Sequence, residues 1–151
     1  MKSIDSTANS SFRAWLRLAL HPREARTQAR ALAEGLHLAK AALDASMAIE
    51  AVLLRRASAS AEALRLAEAA MARGAVGYEL ATSLFDRISP VEHGSGMIFV
   101  VAVPAYPLPA KARCDMLYLD GVQDPGNAGT LLRTAAAAGV REALATPATS
   151  A

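Results

Sequence analysis

A strand–turn–helix pattern near the end of the sequence is the feature that most constrains the fold. Residues 114–119 are rich in apolar and aromatic side chains, which is typical of a short buried strand. Pro125–Gly126 follows as a turn signal, because proline presets φ and glycine accepts a positive φ. Residues 128–138 are good helix formers, and Gly139 suits the C-terminal cap of a helix. The pattern therefore predicts a strand, a loop and a helix in that order.

The start of this helix predicts an anion-binding site. Asn127 stands where a helix N-cap is expected, and the N–H groups at a helix start attract anions. Gly126 and Gly129 let a ligand approach the backbone closely. Arg133 follows Gly129 and Thr130 at helical spacing, and helical side chains lean toward the N-terminus. We therefore expect its guanidinium to reach back to the loop. The alternative is an ordinary turn with a solvated arginine.

Residues 117–140 resemble the first signature motif of the SpoU/TrmH family of RNA ribose 2′-O-methyltransferases, which belongs to the SPOUT superfamily. The matching core comprises Asp120–Asn127, Gly129 and Arg133–Ala135. The resemblance implies that Arg133 helps to activate the target ribose hydroxyl and that Asn127 shapes the active site. These two are the candidate catalytic residues. It also implies S-adenosylmethionine as the cofactor, ribosomal or transfer RNA as the substrate, and a homodimer for a full-length member.

Two upstream segments extend the resemblance. Arg30–Leu43 looks like the start of the family's RNA-binding domain, an α/β module akin to a ribosomal protein of the large subunit. Ile88–Val101 resembles the end of that module, although Gly94–Gly96 stands where Pro-Gln-Gly is common. The expected organisation is a flexible leader over 1–10, an RNA-binding α/β domain over 11–103, a proline-spaced linker over 104–113 and a fragment of the methyltransferase domain over 114–151.

The family's second and third motifs, which build its trefoil knot and hold S-adenosylmethionine, are expected beyond residue 151. Nothing in 143–151 resembles them. We therefore expect only the first strand, loop and helix of the catalytic domain, with the knot missing and the cofactor-binding residues outside the chain. On this interpretation the chain is inactive by itself. Two alternatives stay open: a non-catalytic RNA-binding module or remnant, and an α/β module that binds another protein.

The remaining sequence alternates strands and helices, which predicts an α/β layer architecture. Ser60 and Thr82 are the expected N-caps of two helices, and the first should turn Leu64, Ala67 and Met71 inward. The expected helices cover 12–20, 23–31, 36–43 and 61–73, with a short one from 82. The expected strands cover 31–33, 47–54, 76–80 and 97–103, with a helix as the alternative for 47–54 because of its alanines.

Basic residues are concentrated at the start of the chain. The first thirty residues carry six basic side chains against two acidic ones, whereas the whole chain has a net charge of +2. Arginines contact RNA phosphates irrespective of sequence, although a solvated helix face is an equally ordinary reason for such a pattern. Phe12 and Trp15 are expected in the core, with base stacking as the alternative. The candidate RNA-binding residues are Arg13, Arg17, Arg23, Arg26 and Arg30.

Composition excludes several other classes. The 53% hydrophobic content favours a folded core over disorder. A single cysteine excludes an intrachain disulfide and suits the cytoplasm, and Cys114 is expected to be a small buried residue on a strand. The three histidines lack metal-ligand spacing, so no metal site is expected. The longest apolar run, Met97–Val103, is too short to span a bilayer, so no membrane association is expected.

Overall fold

A computed structural model of the chain describes residues 1–89, 91, 94–106, 111 and 114–149. It divides into two compact units, a first unit over Met1–Ala105 and a second unit over Tyr106–Ala151. The division falls inside the segment 104–113 that the prolines indicated as a linker.

A five-stranded mixed sheet with helices on both faces forms the first unit, so the α/β prediction is confirmed. The strand order is β1-β4-β3-β5-β2; β1, β4 and β3 are parallel, and β5 is antiparallel to both β3 and β2. The elements in chain order are β1 Lys2–Ile4, α1 Ser10–Leu20, α2 Pro22–Thr27, β2 Arg30–Glu34, α3 Leu36–Asp44, β3 Ile49–Arg55, α4 Ala61–Ala72, β4 Val76–Leu80, α5 Thr82–Ile88 and β5 Met97–Ala102.

The sheet separates two hydrophobic cores, because successive side chains of a strand point to opposite faces. Leu53 of β3 packs in one core with Phe12 of α1 and Phe85 of α5. Its neighbour Val52 packs in the other core with Phe99 of β5 and with the alanines of α3 and α4. Both faces of the sheet are thus covered, which explains why β5 is apolar throughout and buried along nearly its whole length.

The prediction of a flexible leader over residues 1–10 is wrong. Lys2–Ile4 form β1, which pairs in parallel with β4, and Ile4 is buried. An ion pair holds the strand in place, with 2.5 Å between Arg56 Nη1 and Asp5 Oδ1. The hydrogen bond from Arg56 lowers the pKa of Asp5 below its ordinary value, against a smaller opposing effect of desolvation. Three residues are too few for strand periodicity to be recognisable in the sequence.

Two helix predictions also need correction. The basic helix expected over 23–31 ends at Thr27, and Arg30 begins β2 instead. Ala29 lies between them with φ +50°, a conformation that ends the helix. The N-cap of α5 is Ala81, and Thr82 is the first helical residue.

The inward face of α4 is made of alanines rather than of its larger apolar side chains. Ala63, Ala67 and Ala70 are buried, whereas Leu64 is 43% exposed and Met71 is half-buried. The prediction was right for Ala67 and wrong for Leu64. Small side chains let the backbone of the helix lie close to the sheet. The close packing therefore selects alanines for the buried face, and the larger apolar side chains lie elsewhere on the helix. The expected cap is confirmed: Ser60 Oγ accepts a hydrogen bond from the N–H of Ala63 at 3.1 Å.

Candidate active site

The signature motif lies in a β–α–β arrangement within the second unit. The elements are β6 Met116–Leu119, α6 Pro125–Ala137 and β7 Glu142–Ala145, and β6 pairs in parallel with β7. The strand and the helix were predicted, but β7 was not. Its sequence, Glu-Ala-Leu-Ala, has helix-favouring composition, and the parallel partner β6 imposes the strand.

Asp124, rather than Asn127, is the N-cap of α6. Its Oδ1 accepts a hydrogen bond from the N–H of Asn127 at 2.6 Å. Pro125 occupies the first helical turn, where its missing N–H costs nothing, so the helix starts earlier than predicted. The anion at this helix start is therefore the carboxylate of Asp124. The carboxylate of Asp124 thus occupies part of the predicted anion site, and Asn127 is exposed in the first turn.

Arg133 reaches back along α6, as its spacing predicted. Its Nη2 donates a hydrogen bond to Thr130 Oγ1 at 3.1 Å, and that hydroxyl donates to the carbonyl of Gly126 at 2.8 Å. A Cβ placed on Gly129 would lie 3.1 Å from Arg133 Nη1. The absence of a side chain at Gly129 therefore makes room for the guanidinium. These contacts hold an exposed cation beside the N-terminal half of α6, one turn before Arg133.

Two threonines join the loop after β6 to the loop after β7. The N–H of Gly121, where φ is +63°, donates to Thr146 Oγ1 at 3.1 Å. Thr149 is only 6% exposed, and its Oγ1 donates to the carbonyl of Leu119 at 3.0 Å. Both loops thus meet at the carboxyl ends of parallel strands, where α/β proteins bind their ligands. Sequence reasoning missed both residues, because a threonine in a loop carries no distinctive signal.

The C-terminal end of α6 matches its prediction. Gly139 has φ +86°, its N–H donates to the carbonyl of Ala136 at 3.0 Å, and the N–H of Val140 donates to that of Ala135 at 2.9 Å. This is the Schellman arrangement, in which a left-handed residue closes the helix.

The five candidate RNA-binding arginines are all exposed, but they do not share one helix. Arg13 and Arg17 lie on α1, Arg23 and Arg26 on α2, and Arg30 at the start of β2. The side chain of Arg13 donates to the carbonyl of Ala8 at 2.8 Å. Glu24 of α2 lies 3.9 Å from Arg17 of α1, and Glu50 of β3 lies 2.7 Å from Arg30. Part of the positive charge is therefore neutralised by neighbouring carboxylates.

Both aromatic side chains beside these arginines lie in the core, as expected. Phe12 is fully buried, and Trp15 is 7% exposed and packs edge-to-face against Tyr78 with 4.8 Å between ring centroids. The guanidinium of Arg87 lies 5.6 Å from the ring centroid of Phe12. Phe12, being fully buried, offers no face on which a base could stack.

Cys114 is exposed and precedes β6, so the prediction of a buried strand residue is wrong. Partial desolvation raises the pKa of its thiol, and the Glu142 carboxylate raises it further. The thiol form is thereby favoured, which makes Cys114 a poor nucleophile at neutral pH. Among the residues that the structure describes, no three histidine, cysteine, aspartate or glutamate side chains converge on a metal position. Over the same residues, no helix has the length and apolar character needed to cross a membrane.

Comparisons with known proteins agree with the motif. No family model matches the chain. The chain is 33% identical, over 141 residues, to the 23S rRNA (guanosine(2553)-2′-O)-methyltransferase RlmP of Bacillus subtilis, covering 93% of this chain and 52% of that protein. It therefore spans about half the length of this curated relative.

Solved structures show the same relationship. One is an RNA 2′-O ribose methyltransferase, with a TM-score of 0.73 and 26% identity over 98% of this chain and 57% of the other. Another, the SpoU methyltransferase AviRb of Streptomyces viridochromogenes in complex with AdoMet, shares the fold with a TM-score of 0.74 and 20% identity over 95% of this chain and 55% of the other. Fold and motif together resemble those of SpoU-type α/β proteins. In sequence and in fold the chain is similar to the SpoU/TrmH family of RNA 2′-O-methyltransferases.

Proposed function

We propose that this chain supplies the RNA-binding domain and part of the active site of a cytoplasmic RNA methyltransferase. The reaction transfers a methyl group from S-adenosylmethionine to a ribose 2′-hydroxyl of ribosomal or transfer RNA. The observation that carries the proposal is the position of Arg133, whose guanidinium Thr130 holds beside the N-terminal half of α6 in the space that Gly129 leaves. The methyltransferase relatives support the same reaction.

Arg133 acts on the hydroxyl of the substrate. A guanidinium stays protonated in proteins, so it is not itself the base. It donates hydrogen bonds to the 2′-oxygen, or to a neighbouring phosphate, and stabilises the negative charge that develops on that oxygen while the hydroxyl proton passes to solvent water. Asn127, in the first turn of the same helix, shapes the site around the ribose. S-adenosylmethionine, when bound, supplies the methyl group.

The second unit fits one side of a cofactor site. Its two loops meet at the carboxyl ends of β6 and β7, held by Thr146 and Thr149. The residues that hold S-adenosylmethionine lie outside these 151 residues in our proposal, together with the knot and the surface of the family's homodimer. The chain alone therefore binds the cofactor weakly and does not turn over. Calorimetric titration checks this, and micromolar binding of S-adenosylmethionine would contradict it.

Substitution of Arg133 in a completed enzyme tests its role. The chain is joined to the part of the Bacillus subtilis relative that it does not cover, and methyl transfer to ribosomal RNA is measured. We expect Arg133→Ala to lower kcat by about 100-fold or more, since loss of one charge-stabilising donor has that effect. Arg141→Ala removes an exposed arginine that lies outside the motif and is the matched control. Equal activities of the two variants would sink the assignment.

RNA binding by the first unit is tested separately on the chain itself. Arg23→Glu with Arg26→Glu reverses two exposed charges of α2, and we expect weaker binding of a ribosomal RNA fragment and a shallower salt dependence. Arg65→Glu on α4 is the matched control. RNA binding without methyl transfer by the completed enzyme would favour the non-catalytic RNA-binding module. No RNA binding at all would favour the protein-binding module.

A further inference from the structure

A cavity of about 230 Å³ lies in the first unit, between α1 and the sheet. Trp15 and Leu18 of α1 form one wall, and Tyr78 of β4 forms another. The exposed residues Gln28, Arg30 and Glu50 also line it and leave it open to solvent. The volume is below the roughly 300–1,000 Å³ of pockets that enclose drug-sized ligands, so the cavity suits a single ring system rather than a cofactor.

The polar side of this cavity is formed by an ion pair. Arg30 Nε donates to Glu50 Oε2 at 2.7 Å, and the two side chains are 43% and 39% exposed. Arginine has five N–H donors, and among the described residues Glu50 is the only partner that its side chain contacts by hydrogen bond. The Nη donors of Arg30 and the second oxygen of Glu50 therefore remain available to a ligand at adjacent positions.

A β-bulge directs Glu50 into the cavity. The register of β3 against β5 shifts between Ile49 and Ala51. Ile49 packs against the core on the α4 side of the sheet, whereas Ala51 lies in the core on the α1 side. In a regular strand these two residues would share a face, and Glu50 would point to the other one. Bulges recur where a strand must re-aim a side chain next to a functional site.

The geometry points to an unpaired guanine base of the RNA as the occupant, an inference that rests on the proposed function. The Watson–Crick edge of guanine presents the O6 acceptor beside the N1–H and N2–H donors. Arg30 donates to O6 through its Nη groups while the second oxygen of Glu50 accepts from N1–H, and Gln28 lies at the same rim. The apolar walls around Trp15 and Tyr78 enclose the ring. Specific recognition of RNA depends on such unstacked bases.

Hairpin RNAs that differ in one unpaired loop base test the inference on the full chain. We expect the hairpin with guanine to bind about tenfold more tightly than those with adenine or cytosine. Glu50→Gln should abolish this preference. Glu68→Gln makes the same charge change at an exposed position of α4 and should preserve the preference. Trp15 is the only tryptophan of the chain, so tryptophan fluorescence reports on this cavity alone. We expect the emission to change when the guanine hairpin binds and to stay unchanged with the other two hairpins.

The outcomes separate this inference from the proposed function. Equal affinities for the three hairpins overturn the guanine site and leave RNA binding intact. A preference for guanine that survives Glu50→Gln, or that leaves the emission of Trp15 unchanged, overturns it as well. Failure of all three hairpins to bind overturns the proposed RNA function and the guanine site with it.

Discussion

The two units differ sharply in how much apolar surface they bury. The first unit covers both faces of a five-stranded sheet, with fully buried side chains such as Leu53, Phe85 and Phe99. Within the described part of the second unit, only Leu119 and Ala128 are buried apolar residues. A two-stranded sheet is marginal in water without a larger hydrophobic face. Stability and the signature motif therefore lie in different parts of the chain.

This difference shows that a motif can indicate a family although its own residues bury too little apolar surface to stabilise the structure around it. The contacts around Arg133 are local, between residues three or four positions apart on α6. They can form wherever the helix forms. The helix itself exposes Leu131 and Leu132, so its apolar side contributes little burial. Helices in proteins gain most of their stability from such burial.

Hydrogen exchange gives the largest expected contrast between the units. Amides of β3 and β5 should exchange only through global unfolding, with a free energy of about 5–15 kcal/mol. Amides of β6, α6 and β7 should exchange through local opening at a small fraction of that value. Mass spectrometry after timed exchange measures both sets in one sample. Equal protection of β5 and β6 would break the comparison.

Two matched leucine truncations should differ next most. Leu53→Ala empties a fully buried position of the first unit and should lower the free energy of unfolding by about 2–5 kcal/mol. Leu119→Ala makes the same change at a buried position of the second unit, and we expect well under 1 kcal/mol in the main transition. Urea denaturation measures both. A comparable loss for Leu119→Ala would mean that the two units unfold together.

Two helix caps sharpen the comparison at a smaller scale. Ser60→Ala removes the N-cap of α4 and should cost about 1 kcal/mol of global stability. Asp124→Ala removes the N-cap of α6 and should lower the helix content of the second unit while leaving the urea midpoint unchanged. Far-ultraviolet circular dichroism and urea denaturation separate these effects. A shifted midpoint for Asp124→Ala would contradict the independence of the units.

The acid dependence of β1 gives the smallest effect. The pKa of Asp5 is lowered below 3.8, mainly by the hydrogen bond from Arg56. The folded chain therefore binds this proton less tightly than the unfolded chain does. The stabilisation is fully present above the pKa of the unfolded chain, and it is lost as the pH falls through the lower pKa of the folded chain. Asp5→Asn should therefore lower the urea midpoint at pH 7, and this deficit should shrink as the pH falls below the ordinary pKa of the carboxyl group. Glu68→Gln on α4 is the control, and a pH-independent deficit would argue against the ion pair.

Much of the fold could be predicted from local sequence. Met97–Val103 indicated a buried strand because continuous apolar runs need cover on both faces, and β5 has that cover. Ser60 and Gly139 marked helix ends because capping depends on the residue itself. Lys2–Ile4 and Glu142–Ala145 could not be recognised, since such short strands exist only through their partners β4 and β6.

The candidate site also has features that local sequence predicted and features that it did not. The direction of Arg133 followed from helical spacing and from the small residue at Gly129. The choice of Asp124 over Asn127 as the N-cap depended on where Pro125 could enter the first turn. Thr146 and Thr149 contact the motif across about 25–30 residues of chain, a distance over which sequence patterns carry no information.

The sequence by itself indicated the family resemblance and the α/β class, and it predicted two candidate catalytic residues, because these depend on local spacing and residue type. Tertiary structure alone decided that β1 joins the sheet and that Arg30 belongs to β2 rather than to the basic helix. It also decided that a bulge in β3 turns the Glu50 side chain toward Arg30. The physical reason is that pairing partners and register are set between strands far apart in the chain, where a shift of one residue changes which side chains meet.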